Sequence, residues 1–274
     1  FYLDLYAREH KRGGAWMADC VGRYHRPDKV VQTPVAFLTC NFTQPLDGKP
    51  ALLTHDDVIT LFHEFGHGLH HLLSLVEEPS VTGISGVPWD AVELPSQFLE
   101  NWCWERGALD LVTSHVDTGE PLPDKLLQKL REAKNFQSGM QMVRQLEFAL
   151  FDFRLHASTA QISSDAIHRL LDDVRQQVAV VTPPPFDRFP HAFSHIFAGG
   201  YAAGYYGYLW SEVLSADAYN RFEQEGVFNA TVGRAFLQHV LETGGVEDPL
   251  DVFRAFRGRE PSIDAFLRHS GLNA

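Results

Sequence analysis

The stretch His63-Glu64-Phe65-Gly66-His67 decides which fold and which chemistry we expect of this chain. On an α-helix, residues i and i+4 lie one above the other on the same face, about 6 Å apart. At that spacing the ring nitrogens of His63 and His67 can converge on one tetrahedral metal ion. Glu64 lies about 100° around the helix from His63, so it can reach a water beside the metal more easily than the metal itself. The motif therefore predicts a site for metal-assisted hydrolysis of peptide bonds.

The residues around the motif favour a helix. Thr54 is a suitable capping residue at its N-terminus, and Pro79 lies beyond the expected end near Val76. Apolar residues recur at steps of three and four, which is the period of a helix with one apolar face. They are Val58, Leu61, Phe62, Phe65, Leu69, Leu72 and Val76. The alternative interpretation is an amphipathic helix with surface histidines.

Composition excludes several classes of protein. With 274 residues, 45% of them hydrophobic, the chain can bury one large core or two modest ones. The net charge of −12 argues against nucleic acid and against anionic membranes as partners, because there is no excess of basic residues to neutralise phosphates. No apolar run reaches the length of about 18 residues that a membrane span needs. Without a secretory signal at the start, these features predict a cytoplasmic protein.

The cysteines and the first residue bear on the origin of the chain. Cys20, Cys40 and Cys103 are odd in number and form no CxxC pair, so we expect buried thiols in a reducing compartment. The chain opens at Phe1 without a methionine and already inside a strand-like segment, which suggests a fragment or a processed product.

Two segments favour strands, and most of the rest favours helices. Phe1–Tyr6 and Pro34–Phe42 carry β-branched and aromatic residues with turn signals after each. A Gly-rich connection over Thr82–Pro88 precedes a second helix that begins near Asp90. Further helices are expected at Pro123–Asn135, Gln137–Ala157, Ser163–Val181, Ala203–Glu225, Asn229–Glu242, Pro249–Phe256 and Pro261–Ser270. The chain is thus expected to be mainly α, with a strand-containing part at 1–55 and a helical part at 56–274.

A catalytic zinc needs a third protein ligand and an open position. The spacing favours Glu93 over Glu100 as this ligand, because Glu93 lies in a new helix after a loop. His70 could compete as a ligand, but we interpret His70 and His71 as flanking residues. A structural role for Glu93 stays open, because Asp90 and Glu93 fit a capping box. The acidic candidates downstream of the motif are Glu77, Glu78, Asp90, Glu93, Glu100 and Glu105.

A second cluster lies near the C-terminus, at His195, Gly199-Gly200 and three tyrosines. Tyr201, Tyr205 and Tyr208 would share one helix face if the segment is helical. An aromatic stripe of this kind is more often core packing than a site. Three phenol hydroxyls are costly to bury without partners, however, which favours a partly solvated face.

Three segments resemble the thimet oligopeptidase family of zinc metallopeptidases, and in particular its bacterial oligopeptidase A branch. They are HEFGHGLHHLL, VELPSQFLENW and FSHIFAGGYAAGYYGYLW, and the likeness extends over essentially the whole chain. The resemblance implies a zincin-like (gluzincin) catalytic domain, mainly helical with a small sheet beside the HExxH helix. It also implies that residues 1–274 form one catalytic region, the C-terminal portion of a longer metallopeptidase.

The resemblance assigns roles to particular residues. One Zn²⁺ would be held by His63, His67 and Glu93, with Glu64 as the general base. Tyr208 and His195 would donate hydrogen bonds to the oxyanion of the reaction. Tyr201, Tyr205, Gly199 and Gly200 would bind the substrate. The loop Thr82–Gly86 would contact the substrate, although a simple Gly-rich connector is an equally good interpretation.

The function expected from these features is the cleavage of internal bonds in short peptides by a zinc-dependent endopeptidase. Two alternatives stay open: a peptidyl-dipeptidase that releases C-terminal dipeptides, and a zinc-stabilised binding module without turnover. Members of the family have a chain more than twice as long, and a helical N-terminal half forms the opposite wall of a deep cleft. That half is the partner expected to be missing here.

Overall fold

A three-stranded sheet supports the helix that carries the HExxH motif. In the computed structural model, which describes residues 1–159 and 162–272, the sheet order is β1-β5-β2. Its strands are β1 (Tyr2–Tyr6), β2 (Trp16–Val21) and β5 (Val35–Phe42). The central strand β5 is parallel to β1 and antiparallel to β2. A separate ribbon pairs β3 (Tyr24–His25) with β4 (Val31–Gln32).

The helical part begins with α1 (His55–Leu73), which packs on β5. It continues with α2 (Leu94–Glu100), a 3₁₀ turn (Asn101–Trp104) and α3 (Arg106–Val112). The remaining α-helices are α4 (Asp124–Lys134), α5 (Ser138–His156), α6 (Ser164–Val178), α7 (Phe189–Ala192), α8 (Ser194–Phe197), α9 (Gly207–Glu225), α10 (Ala230–Phe236), α11 (Pro249–Arg257) and α12 (Asp264–His269). A π-helical turn, Leu237–Leu241, follows α10. The expected class, mainly helical with a small sheet beside α1, is confirmed.

The largest apolar core joins α2 to the C-terminal helices. Phe98 of α2 stacks on Phe236 of α10 with ring centroids 3.9 Å apart, and Phe222 and Phe256 belong to the same cluster. A second core forms between α5 and α6 and includes Phe151, which is fully buried. The first core fixes α2 against the rest of the helical part, and so fixes the residues at both ends of α2. No helix among the residues described is long and apolar enough to cross a membrane.

Several expected boundaries were wrong, and the differences have local causes. Strand β2 was not expected, because its backbone partner is the distant strand β5. The helix expected from Ala203 begins only at Gly207, because Ala203 adopts φ +56°, which no right-handed helix contains. The helix expected near Asp90 begins at Leu94. Cys20 is exposed, whereas Cys40 and Cys103 are buried as predicted.

The start of α1 is confirmed and gives a test of stability. The hydroxyl of Thr54 accepts the backbone N–H of Asp57 at 3.2 Å, and the Asp57 carboxylate accepts the N–H of Thr54 at 2.8 Å. Thr54→Ala is expected to lower the free energy of unfolding by about 1 kcal/mol, because the first turn of α1 loses its capping hydroxyl. Urea denaturation measures this change. The exposed Thr33→Ala is the control, and an equal loss in both variants would contradict the role of the cap.

Candidate metal centre

The two motif histidines and one glutamate from the next helix face one another. Nε2 of His63 lies 3.2 Å from Oε2 of Glu93, and Nε2 of His67 lies 3.1 Å from the same oxygen. Ligand atoms of the three residues all lie within 4.8 Å of one another. Ligands held at about 2.0–2.1 Å around a tetrahedral zinc ion are about 3.4 Å apart, so these residues fit that ion. Among the residues described, this is the only group of this kind.

Gly66, inside the motif, allows α2 to come close enough for this contact. A Cβ atom at Gly66 would lie 2.5 Å from the carbonyl oxygen of Pro95 and equally close to the Cα of Ser96. Any side chain here would push α2 away from α1. The motif thus supplies two histidines and also the gap through which the third residue approaches.

Glu93 stands at the N-cap position of α2, directly before Leu94. Its side chain makes no capping hydrogen bond, so the interpretation as a capping-box residue is wrong. Instead Oε2 accepts the hydroxyl of Ser96 at 2.9 Å, and Oε1 accepts the hydroxyl of Tyr201 at 2.5 Å. Although burial opposes the charge, the contacts with His63 and His67 hold the pKa of Glu93 well below its usual value. Glu93 is therefore an ionised carboxylate that is 1% exposed.

Glu100, at the other end of α2, orients the first histidine. Nδ1 of His63 donates to Oε1 of Glu100 at 2.6 Å. This bond leaves Nε2 to face Glu93, the arrangement in which an outer carboxylate fixes the tautomer and the ring of a metal ligand. Burial lowers the pKa of His63, but the bonds to Glu100 and Glu93 raise it overall to about 10. Glu100 thus contacts the side of the His63 ring that points away from Glu93.

Glu64 is held beside the cluster without a complete set of partners. The residue is 5% exposed, and its Oε2 is buried with no hydrogen-bond partner among the residues described. Burial raises the pKa of Glu64, which the neighbouring histidines partly oppose. A buried carboxylate oxygen without a partner costs free energy unless a molecule outside the chain binds it. Such a molecule would lie between Oε2 of Glu64 and the rings of His63 and His67.

A cavity of about 880 Å³ opens onto the cluster and collects most of the remaining candidates. His195, Gly199, Tyr201 and Tyr208 line it. The rings of Tyr201 and Tyr208 stack with centroids 4.8 Å apart. Burial raises the pKa of both phenols, so each keeps its proton and remains a donor at neutral pH. Burial lowers the pKa of His195, which favours the neutral ring.

Two predicted residues lie away from this wall. The hydroxyl of Tyr205 donates to Gln145 at 3.0 Å, and its ring packs against Phe193, so it faces the space behind Tyr208. Gly200 adopts φ +89° and lies against Trp89, where a Cβ would be 3.0 Å from the indole. Tyr201, Tyr205 and Tyr208 therefore do not share a helix face; only Tyr208 belongs to α9.

The cavity also has lining residues that no sequence pattern indicates. Trp16 and Met17 of β2, together with Trp89, form part of its wall. β2 lies at one edge of the sheet, so its outer backbone edge is unpaired in the sheet order. Trp89 directly follows Pro88, the last residue of the Gly-rich connection, and no periodic pattern in the sequence indicates its role. Ile84, Ser85 and Gly86 line the same cavity, which favours a substrate-facing loop over a plain connector.

The motif helix, the carboxylate on the following helix and the supporting sheet define the class: a zincin-type metallopeptidase. The chain belongs to Peptidase family M3, whose family model matches residues 1–272. It is 63% identical to oligopeptidase A of Salmonella typhimurium over 272 residues, covering 99% of this chain and 40% of that protein. It is 38% identical to the dipeptidyl carboxypeptidase of the same organism, again covering 40% of the relative. The family recognised in the sequence is confirmed.

A solved structure agrees with the fold. The carboxypeptidase of Pyrococcus furiosus matches 98% of this chain and 53% of its own, with a TM-score of 0.57 at 15% sequence identity. At that identity the likeness concerns the fold alone. The present chain spans about 40% of the length of the curated relatives reported above.

Proposed function

We propose that the protein is a zinc-dependent endopeptidase that hydrolyses internal bonds of short oligopeptides. The observation that carries this proposal is the convergence of His63, His67 and Glu93 at 3.1–3.2 Å beside the unpartnered oxygen of Glu64. His63, His67 and Glu93 would hold one Zn²⁺ with an open position. When bound there, the ion would polarise the scissile carbonyl and acidify a water molecule.

The protein's own groups account for the proton transfers. Oε2 of Glu64 would accept the proton of the attacking water and then deliver it to the departing amine nitrogen. Its raised pKa suits a group that must both take and return a proton. Tyr208 and His195 would donate hydrogen bonds to the carbonyl oxygen as it becomes negative. Tyr201, already bonded to Glu93, would keep that carboxylate in place.

The substrate would lie along β2. An extended peptide can add to the unpaired edge of a sheet by backbone hydrogen bonds, which read length and shape more than side-chain sequence. Trp89 and the loop at Ile84–Gly86 would close the other side of the cavity. The family relatives are longer, so a further part of the protein would complete the opposite wall and restrict access to short peptides. We retain a cytoplasmic location as part of this proposal.

Tyr208→Phe tests the oxyanion role. The variant is expected to lower kcat by roughly 100-fold with little change in KM, because one donor acts mainly at the transition state. Steady-state kinetics on a quenched fluorescent peptide measures both constants. Tyr205→Phe is the matched control, because its hydroxyl bonds Gln145 outside the cavity. If both variants lose activity equally, the hydroxyl of Tyr208 has no special role.

A product map separates endopeptidase from peptidyl-dipeptidase activity, which the likeness to a dipeptidyl carboxypeptidase keeps open. A short peptide is incubated with the protein in two forms, one with both ends blocked and one with a free C-terminus, and the fragments are identified by mass spectrometry. Internal cleavage supports the endopeptidase. Cleavage that requires a free C-terminus and releases only dipeptides would assign the other activity. No cleavage by a zinc-loaded full-length protein would favour a binding module without turnover.

A further inference from the structure

A buried carboxylate outside the metal cluster binds the turn that leads to α9. Asp152, on α5, is 0% exposed. Its Oδ1 accepts the backbone N–H of Ala203 and its Oδ2 accepts that of Tyr205, both at 2.9 Å. His156, one turn further along α5, contacts Oδ1 through its Nδ1 at 2.7 Å. Both oxygens of the carboxylate are thus engaged, and two of the three contacts go to the turn.

The turn needs such support because its backbone is unusual. Ala203 adopts φ +56°, a left-handed conformation that residues with a side chain rarely occupy unless surrounding contacts impose it. The other backbone bonds here are local: the N–H of Tyr201 donates to the carbonyl of His195, and that of Gly204 donates to the carbonyl of Tyr201. Two side-chain hydroxyls reach further, because Tyr201 donates to Glu93 and Tyr205 donates to Gln145. Asp152 therefore supplies the two bonds that tie the backbone of this turn to another helix.

The turn lies between the two tyrosines that we place in the cavity. Tyr201 reaches Glu93 with its hydroxyl, and its ring stacks on Tyr208 at the start of α9. The ring of His156 also lies 6.2 Å from that of Phe197, at the end of α8. The pair Asp152–His156 thus contacts the segment 197–205 at both ends, and Tyr201 projects from it toward the metal ligands.

We infer that Asp152 is a positioning residue, whose carboxylate holds the Ala203–Tyr205 turn so that Tyr201 and Tyr208 face the metal centre. The inference rests on the proposed function for its effect on turnover. Independently of turnover, we expect segment 197–206 to lose its order when this carboxylate is replaced.

Asp152→Asn tests the inference, because the amide keeps the size of the side chain but offers only one acceptor oxygen. In the full chain we expect unchanged zinc content and a kcat lower by about 10- to 100-fold, with KM changed less than about 3-fold, since misplaced groups cost rate more than binding. Limited digestion with chymotrypsin, mapped by mass spectrometry, should show faster cleavage after Phe197, Tyr201 or Tyr205. Glu147→Gln is the control, because Glu147 is an equally buried carboxylate of α5 that binds Arg144 and Arg175 instead of the turn.

A second variant approaches the turn from the other side, in case Asp152→Asn does not fold. Ala203→Val leaves Asp152 intact, but a β-branched residue is strongly disfavoured at φ +56°. It should reproduce the loss of kcat and the faster cleavage with full zinc content. Wild-type digestion patterns and kcat in the folded variants, or the same changes in Glu147→Gln, would overturn the inference. Digestion requires no peptidase activity, so an inactive wild-type chain would count against the proposed function alone.

Discussion

Glu64→Gln is expected to abolish nearly all turnover while leaving zinc in place. The amide cannot take a proton from water, and general-base catalysis by a positioned carboxylate contributes up to about 10⁴-fold to the rate. Because Glu64 contributes no atom to the ligand cluster, the metal content should stay at one equivalent. Steady-state kinetics together with metal analysis by mass spectrometry measures the two quantities on one preparation.

The control for this variant is Glu132→Gln, an exposed glutamate of α4, which should behave as wild type. The essential comparison is between the zinc content of the variant and its kcat. A Glu64→Gln protein with one zinc and undiminished cleavage would remove Glu64 from the reaction. Loss of zinc and rate together would instead place this carboxylate among the groups that hold the ion.

Glu93→Gln should give the opposite result. It should lower the affinity for zinc, and turnover should fall because the metal is lost. The amide oxygen is neutral, so the site loses its negative ligand, and the half-buried His63 and the buried His67 lose the carboxylate that both of them face. Removing an outer partner of a metal ligand costs about 10- to 100-fold in metal affinity, and we expect the loss of a direct ligand to exceed about 100-fold. Competition with a chromophoric zinc chelator measures the dissociation constant.

Glu100→Gln is the matched control, since it lies at the other end of the same helix and contacts only the outer nitrogen of His63. Its loss of zinc affinity should fall in the lower range, about 10-fold. Equal losses in the two variants would contradict the distinction between an inner and an outer carboxylate. Full zinc affinity in Glu93→Gln would transfer the ligand role to another residue.

The motif helix could be predicted because its determinants are local. Thr54, the i, i+4 histidines and the spacing of apolar residues all act within α1, and the helix starts where the cap predicts. Its buried face was less predictable. The buried residues of α1 include Glu64, His67 and His71, whereas the apolar stripe is only partly buried. Hydrophobic periodicity predicts the helix correctly, but it does not predict which residues of α1 pack against the metal cluster, α2 and β5.

The other carboxylates required contacts between distant segments. Spacing alone ranked Glu93 above Glu100, and the family resemblance assigned Glu93 as a ligand. The structure then places Glu93 against both histidines and Glu100 behind one of them. That division depends on how α2 packs against Gly66, a contact that no sequence period encodes.

The tyrosine segment shows where a periodic interpretation fails. Tyr201, Tyr205 and Tyr208 have helical spacing, yet the first two lie in a turn because Asp152, from the distant helix α5, binds two of its amides. A helix over this segment would have placed the three hydroxyls together. The turn separates Tyr205, bonded to Gln145, from the two tyrosines that line the cavity.

The most direct test of the proposed metal centre is a crystal structure of the zinc-loaded protein with anomalous data at the zinc edge. We expect one anomalous peak at about 2.0–2.2 Å from Nε2 of His63, Nε2 of His67 and a carboxylate oxygen of Glu93. A non-protein oxygen should occupy the remaining position, within hydrogen-bond distance of Glu64. A fourth side chain on the ion, or no peak at these three residues in the presence of excess zinc, would contradict it.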